Sequence, residues 1–430
     1  MAHQESSTRP LEGIRVCMLI NNDIVRDGRV LKKARTLCSA GARVLVIGQG
    51  YKDVTELKKE PFESKILLYP SLHPYKQPRL GHEDVFWPIR VITNLTYSRL
   101  KILYVKARNF RIPRRNLFYN KKMLKPARVF EPHIVEANDV FTGKAALRIA
   151  KKTRSLLVYD SHEYFHQYFI GHNDDELMQQ QSDEIEKSLF ESVSLVITPS
   201  EAISEAIKKP HPSVPTITLL NSLPFEASTV SLVHSPVRLL DQTSVRAING
   251  HEQVIEAMQL LEGKATYTIQ GQCRNDSYRE ALECLIARLD LAGTVFLERE
   301  YTPDESIGLA SQFDIGILSY PFDVPSKNLT LANRVFTYLN AGLAIAACGS
   351  KAHQDLEGFS EYGTILDITS PQSIADSLMI LIENRELLSK KKHASYQWAP
   401  SFSWELQAQK YVAAYTELVS AQEDRSITDE

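Results

Sequence analysis

The sequence is poor in the features that announce common chemistries. Its 430 residues include five cysteines, Cys17, Cys38, Cys273, Cys284 and Cys348, odd in number and widely spaced. No C-x-x-C pair occurs and no cysteine has a metal-spaced partner, so neither a disulfide framework nor a cysteine-based zinc site is expected, and a reducing cytosol fits best. A P-loop, a G-x-S-x-G elbow and a strand-linked G-x-G-x-x-G are all missing. No D-x-D triplet is present, so a metal–diphosphate site of that type has no support.

Long apolar runs are missing too. The most membrane-like window, "VFWPIRVITNLTYSRLKILYV", is broken by Pro88, Arg90, Arg99 and Lys101, and spanning a bilayer with those residues is costly. The opening "MAHQESSTRPLEG" has no apolar signal-peptide core. A cytoplasmic protein is therefore expected, with disordered ends at 1–12 and 419–430. The formal net charge of −2 argues against general nucleic-acid binding.

What is present is alternation. Short apolar runs and amphipathic segments follow one another almost from end to end, the signature of parallel α/β architecture. Strands are predicted at 14–20, 43–48, 66–70, 133–137, 156–160 and 195–199. A second series is predicted at 237–240, 266–271, 295–298, 314–320, 343–349 and 363–367. The Asn-, Ser- and Pro-rich stretch 221–236 separates the two series. Two doubly wound Rossmann-like domains, 13–225 and 226–400, follow from this, with a cleft between the carboxyl ends of their strands.

Candidate residues lie where strands stop. "LLVYDSHEYF" puts His162 and Glu163 at a strand end, where a histidine either gives a substrate a hydrogen bond or charge, or caps its own loop. "ANDVF" puts Asn138 and Asp139 at the preceding strand end, as hydroxyl ligands or, the better reading for Asp139, a cap for the helix near Thr142. In the second half, "DQTSVRAINGHE" joins a strand to a helix, with Arg246 beside N–H groups that attract phosphate. "LANRVFTYLNAG", Leu331 to Gly342, reads as a helix start and a glycine stop. Its Asn333 and Arg334 suit a diphosphate, or else act as an N-cap and a surface cation.

Charge is concentrated in 99–128, which holds eleven Lys or Arg, no acid, and Tyr104, Phe110, Phe118 and Tyr119 interleaved. Such a segment suits an anionic membrane surface; a solvated helical face is the alternative.

Together these segments resemble the GT-B glycosyltransferases, specifically the large retaining family of bacterial polysaccharide and lipopolysaccharide sugar transferases. The likeness spans about 14–418. It is carried by "NNDIVRDGRVLKKARTLCSAGARVLVIG", "EPHIVEANDVFTGKAALRIAKKTRSLLVYDSHEYF", "SLVITPSEAISEAI", "LANRVFTYLNAGLAIAACG" and "FSWELQAQKYVAAYTEL". The resemblance implies a nucleotide-sugar co-substrate on the second domain, a glycan or lipid-linked acceptor on the first, no cofactor, and a crossover helix at 401–418. It implies His162 near the reacting sugar and the Asn21–Asn22 loop closing over both substrates. Arg246, Asn333 and Arg334 would serve the donor. It also exposes departures. The family's ribose-binding Glu corresponds to Thr337, its partner acid to Leu329, and its phosphate-loop lysine to Asn249. A sugar transferase, expected from the resemblance to be retaining and metal-independent, leads; a non-catalytic glycosyltransferase-like subunit and a nucleotide-sugar 2-epimerase are the alternatives.

Overall fold

The computed structural model describes residues 9–49, 56–67, 121–166, 168–169 and 176–428. In the first half β1 (Arg15–Asp23), β2 (Arg43–Gln49), β3 (Glu63–Leu67), β4 (Ile134–Asn138), β5 (Leu156–Asp160), β6 (Leu195–Thr198) and β7 (Thr216–Thr218) form one sheet. Its strands are all parallel, in the order β3-β2-β1-β4-β5-β6-β7. The second half adds β8 (Val237–Gln242), β9 (Ala265–Gln270), β10 (Val295–Glu298), β11 (Ile315–Leu318), β12 (Ala344–Cys348) and β13 (Gly363–Leu366). They form a second parallel sheet, ordered β10-β9-β8-β11-β12-β13.

Burial on both faces explains why these strands read as continuous apolar runs. In the first sheet Cys17, Leu19, Val135 and Tyr159 pack on one side, while Val16, Met18, Ile134 and Val158 pack on the other. Each sheet reverses its strand order once, between β1 and β4 and between β8 and β11. Crevices of doubly wound sheets open at such points.

Several expected boundaries shift. β1 continues through Asn21 and Asn22 to Asp23, because Asp23 re-pairs with Gln49 after an irregularity following Leu19. β7 was not expected at all. Leu11 is fully buried, and its N–H donates to the Ala40 carbonyl, so the chain is packed before residue 13. The terminal helix runs Trp404–Thr428, past the expected end at 418, since no glycine or proline interrupts its last turns. It returns to the first domain, where Trp404, Tyr411 and Tyr415 join that domain's core. The Trp404 N–H donates to the Leu223 carbonyl at 2.8 Å, and the Lys32 ammonium lies 4.4 Å from the centre of the Trp404 ring.

Candidate functional site

On the first domain's wall, the ends of β1, β4 and β5 converge. Asn21, Asn22, Asn138, Asp139 and His162 line one pocket of about 280 Å³, with Ile20, Asp27 and Phe141. Asn21 is held by Gln49, whose Nε2 donates to the Asn21 carbonyl and Oδ1 at 3.2 and 3.1 Å. Three buried polar atoms here have no hydrogen-bond partner: Asn138 Nδ2, Asp139 Oδ1 and His162 Nε2.

Asp139 corrects the sequence reading. It heads a short turn, Val140–Thr142, rather than the helix Gly143–Thr153, and makes no well-formed capping bond. Its backbone sits at φ 75°, a conformation that disfavours a side chain. Burial pushes its carboxyl up to about 6, against the opposing pull of His162 and the N–H groups of Phe141 and Val140. His162 has its Nε2 3.5 Å from Asp160 Oδ2.

Glu163 reaches the other domain. Its Oε2 lies 2.9 Å from Thr330 Oγ1, and nearby the Ser200 hydroxyl donates to the Leu329 carbonyl at 2.7 Å. Thus the segment carrying Pro325–Leu329 touches the first domain directly.

On the second wall, the helix Arg334–Ala341 is seated by Tyr338. The Tyr338 hydroxyl accepts from the Gln242 N–H at 2.9 Å, and a Cβ at Gly316 would stand 2.2 Å from its ring. The helix stops at Gly342, whose φ of 66° suits glycine. Asn333 is exposed at the N-cap position but forms no capping bond.

Arg334 is not the surface cation that one reading allowed. Its side chain is 14% exposed and its Nε is 3.4 Å from Asp241 Oδ1. Burial works against its charge, but Asp241, with Tyr338, Tyr320 and Tyr267, outweighs this and raises its pKa. Asp241, the penultimate residue of β8, is fully buried, with His251 Nδ1 and the Tyr267 hydroxyl each 3.4 Å from its Oδ2. This nest is under-bonded: Arg334 Nε and Nη2, Asp241 Oδ1 and both His251 ring nitrogens lack hydrogen-bond partners.

Two further cations belong to the same domain, Arg246 and Lys327. Arg246 is exposed at the start of the turn Ala247–Asn249. Half-buried Lys327 lies with its ammonium 5.7 Å from the centre of the Tyr320 ring. Burial, then Arg246 and Arg334, lower the Lys327 pKa, while Glu163 opposes them. Arg246 also acts across the cleft on Tyr168, whose hydroxyl is pushed up to about 12 by burial and by Glu163 and Asp139.

Two of the three departures noted in the resemblance, Asn249 and Thr337, face inward. Asn249, 6% exposed, donates to the Ser244 carbonyl at 2.6 Å and to Thr243 Oγ1 at 3.3 Å, so its amide is used by its own loop. Thr337 is 7% exposed and presents almost no surface. Sequence reasoning missed Asp241, His251 and Lys327. The only signals were an acid closing "VRLLD" and a Pro325 opening a short helix in "VPSKNL".

The chain closely follows the architecture of several solved structures. A sucrose-phosphate synthase from Thermosynechococcus elongatus superposes with a TM-score of 0.71 at 12% identity, over 95% of this chain and all of that one. A glycosyltransferase from Rickettsia africae gives 0.67 at 14% identity, over 94% and 98%. Anabaena HepE in complex with UDP gives 0.66 at 15% identity, over 95% and 100%. No protein-family model and no curated protein matches the sequence. At these identities the likeness establishes the fold, and the fold is GT-B.

Proposed function

We propose that this GT-B chain is a glycosyltransferase. In this reading it moves a sugar from a nucleoside-diphosphate donor to a polysaccharide or lipid-linked acceptor, with retention and without a metal. One observation carries the proposal: Arg246 and Arg334 both act on Lys327 in the second domain, and Glu163, the neighbour of His162 in the first, acts on the same Lys327 and lies 2.9 Å from Thr330. Three cations against Glu163 and the buried Asp241 leave positive charge for a diphosphate. As the sugar–phosphate bond breaks, negative charge grows on the departing diphosphate, and fixed cations stabilise that change most. His162, Asn138 and Asp139 then orient the sugar and the incoming hydroxyl. HepE structures holding UDP and UDP-glucose support a donor of this class.

The test is UDP release from UDP-glucose and other UDP-sugars in the presence of glycan acceptors. His162→Ala should lower turnover at least tenfold while UDP affinity stays within twofold. Equal turnover in the variant would remove His162 from the site. The inward-facing Asn249 and Thr337 favour a second reading, a non-catalytic subunit that binds a glycan or partner. Nucleotide binding without transfer to any acceptor would favour it.

The acceptor side has a basic approach. Residues 99–120 of the basic segment lie outside the described residues, but its continuation in the helix at 121–130 exposes Lys121, Lys122, Lys125 and Arg128. Val129, 79% exposed, lies beside them. No helix among the described residues is long and apolar enough to cross a membrane. A peripheral contact with anionic lipid, at the inner face of the cytoplasmic membrane, fits this surface. At about 1 kcal/mol per cation, replacing these four by Gln should sharply reduce sedimentation with phosphatidylserine vesicles at low salt. Unchanged sedimentation would dismiss the contact.

A further inference from the structure

Behind the pocket of the first domain lies a second set of charges that the proposed chemistry does not use. Lys33, on the first helix (Gly28–Ser39), is fully buried together with Glu136 and Asp160. Its ammonium donates to Glu136 Oε1 at 2.6 Å, to Asn138 Oδ1 at 2.9 Å, and to Asp160 Oδ2. Arg29, one turn earlier, grips Asp160 with Nη2 at 2.6 Å and Nε at 3.1 Å. From the other side, the hydroxyls of Tyr411 and Tyr415 on the terminal helix both donate to Glu136 Oε2. Burial opposes the charge of Asp160, but Arg29, Lys33 and His162 hold its carboxyl well below the usual range.

Position gives this cluster its meaning. Glu136 and Asn138 belong to the end of β4, and Asp160 closes β5. Asn138 and His162, which line the pocket, are therefore one bond and two residues away from a single ammonium. A buried ion pair rarely adds stability over apolar residues of the same size. Four buried charges, two of each sign, thus call for another explanation, and fixing geometry is the one best attested.

We propose that Lys33 is a positioning residue: it ties the ends of β4 and β5 together so that Asn138 and His162 are presented at a set spacing, and the terminal helix locks that tie through Tyr411, Tyr415 and Glu136. The proposal rests on the transferase reading of the pocket for its effect on turnover. Its geometric content stands without that reading. The terminal helix is then a part of the site's scaffold, although it touches no substrate.

The experiment separates positioning from stability. Lys33→Met alone leaves Glu136 buried without a cation and Asp160 with Arg29 only, and is expected to melt early. Lys33→Met/Glu136→Gln removes one charge of each sign and keeps an amide oxygen for the two tyrosines. Three readouts are taken on the full chain: thermal melting, calorimetric titration with UDP, and UDP release from UDP-glucose. Hydrogen exchange is followed in peptides covering 134–142 and 156–166. The double variant should regain most of the lost melting temperature and bind UDP within twofold of wild type. It should still release UDP at least tenfold more slowly, with faster exchange in both peptides. Tyr411→Phe/Tyr415→Phe should shift the same two peptides by less. Wild-type release and unchanged exchange in the double variant would overturn the proposal. If wild type neither binds UDP nor releases it, the transferase reading fails instead, and unchanged exchange in the double variant would still refute the tie.

Discussion

Both domains bury an aspartate at the end of a strand beside the cleft, and they treat it in opposite ways. Asp160 receives Arg29 twice and Lys33 once, with contacts of 3.1 Å or less. Asp241 has three neighbours, Arg334, His251 and Tyr267, and all stand at 3.4 Å. Asp160 has both its oxygens bonded by protein groups. The second site keeps Asp241 Oδ1, Arg334 Nε and Nη2 and both His251 nitrogens open. Buried polar atoms without partners are costly, so a set of them at a crevice is suited to a ligand, or to the water a ligand displaces. The same residue type serves as a frame in one domain and as part of a receptor in the other.

The comparison breaks most visibly in stability. Asp160→Ala leaves Arg29 without its carboxylate and Lys33 with Glu136 alone, and unfolding in urea should show a loss of about 3–5 kcal/mol. Affinity for UDP, which we propose the other domain holds, should not change. Arg334→Ala should do the reverse. Loss of a charge-assisted contact is expected to weaken UDP binding by about 1.5–3 kcal/mol, with a smaller drop in melting temperature. If both variants lose stability and neither loses affinity, the distinction between frame and receptor is wrong.

A third buried acid of the first domain sharpens the contrast, because it has no cation. Burial pushes Glu186 up to about 8, although Tyr159 donates to its Oε1 at 2.9 Å. The folded chain keeps the proton that the unfolded chain loses. The stability it contributes is complete below about pH 4.5 and is lost as pH rises through about 8. Glu186→Gln should therefore flatten the fall in melting temperature between those limits; an unchanged slope would place the proton elsewhere.

The smallest expected effect is at Asp139. Its carboxyl at about 6 means that negative charge develops beside His162 as pH rises through that value. Turnover should rise across the same range, and Asp139→Asn should remove that inflection with little change in melting. An identical profile in the variant would assign the inflection to another group.

The architecture was legible because parallel strands buried on both faces leave apolar runs that spacing alone reveals. β7 escaped notice because Thr216–Thr218 is a half-buried edge of three residues with no such run. The ends of β1 and of the terminal helix were misplaced where polar residues continue a regular element. The candidate pocket was legible in its loops, since Asn138 ends β4 while Asp139 and His162 follow the ends of β4 and β5. The candidate site as a whole was opaque in its pairings. Nothing in linear order joins Asp241 to Arg334, and Lys33 in "LKKAR" reads like any polar helix face until the terminal helix covers it. The residues that set charge in the cleft come from separate elements, and only folding brings them together.

The most direct test of the receptor is a calorimetric comparison of UDP with UMP, on wild type and on Arg334→Ala. A site built for diphosphate predicts that wild type binds UDP at least tenfold more tightly than UMP, and that the variant loses most of this preference. Equal affinity for the two nucleotides in wild type, or a preference that survives without Arg334, would contradict it.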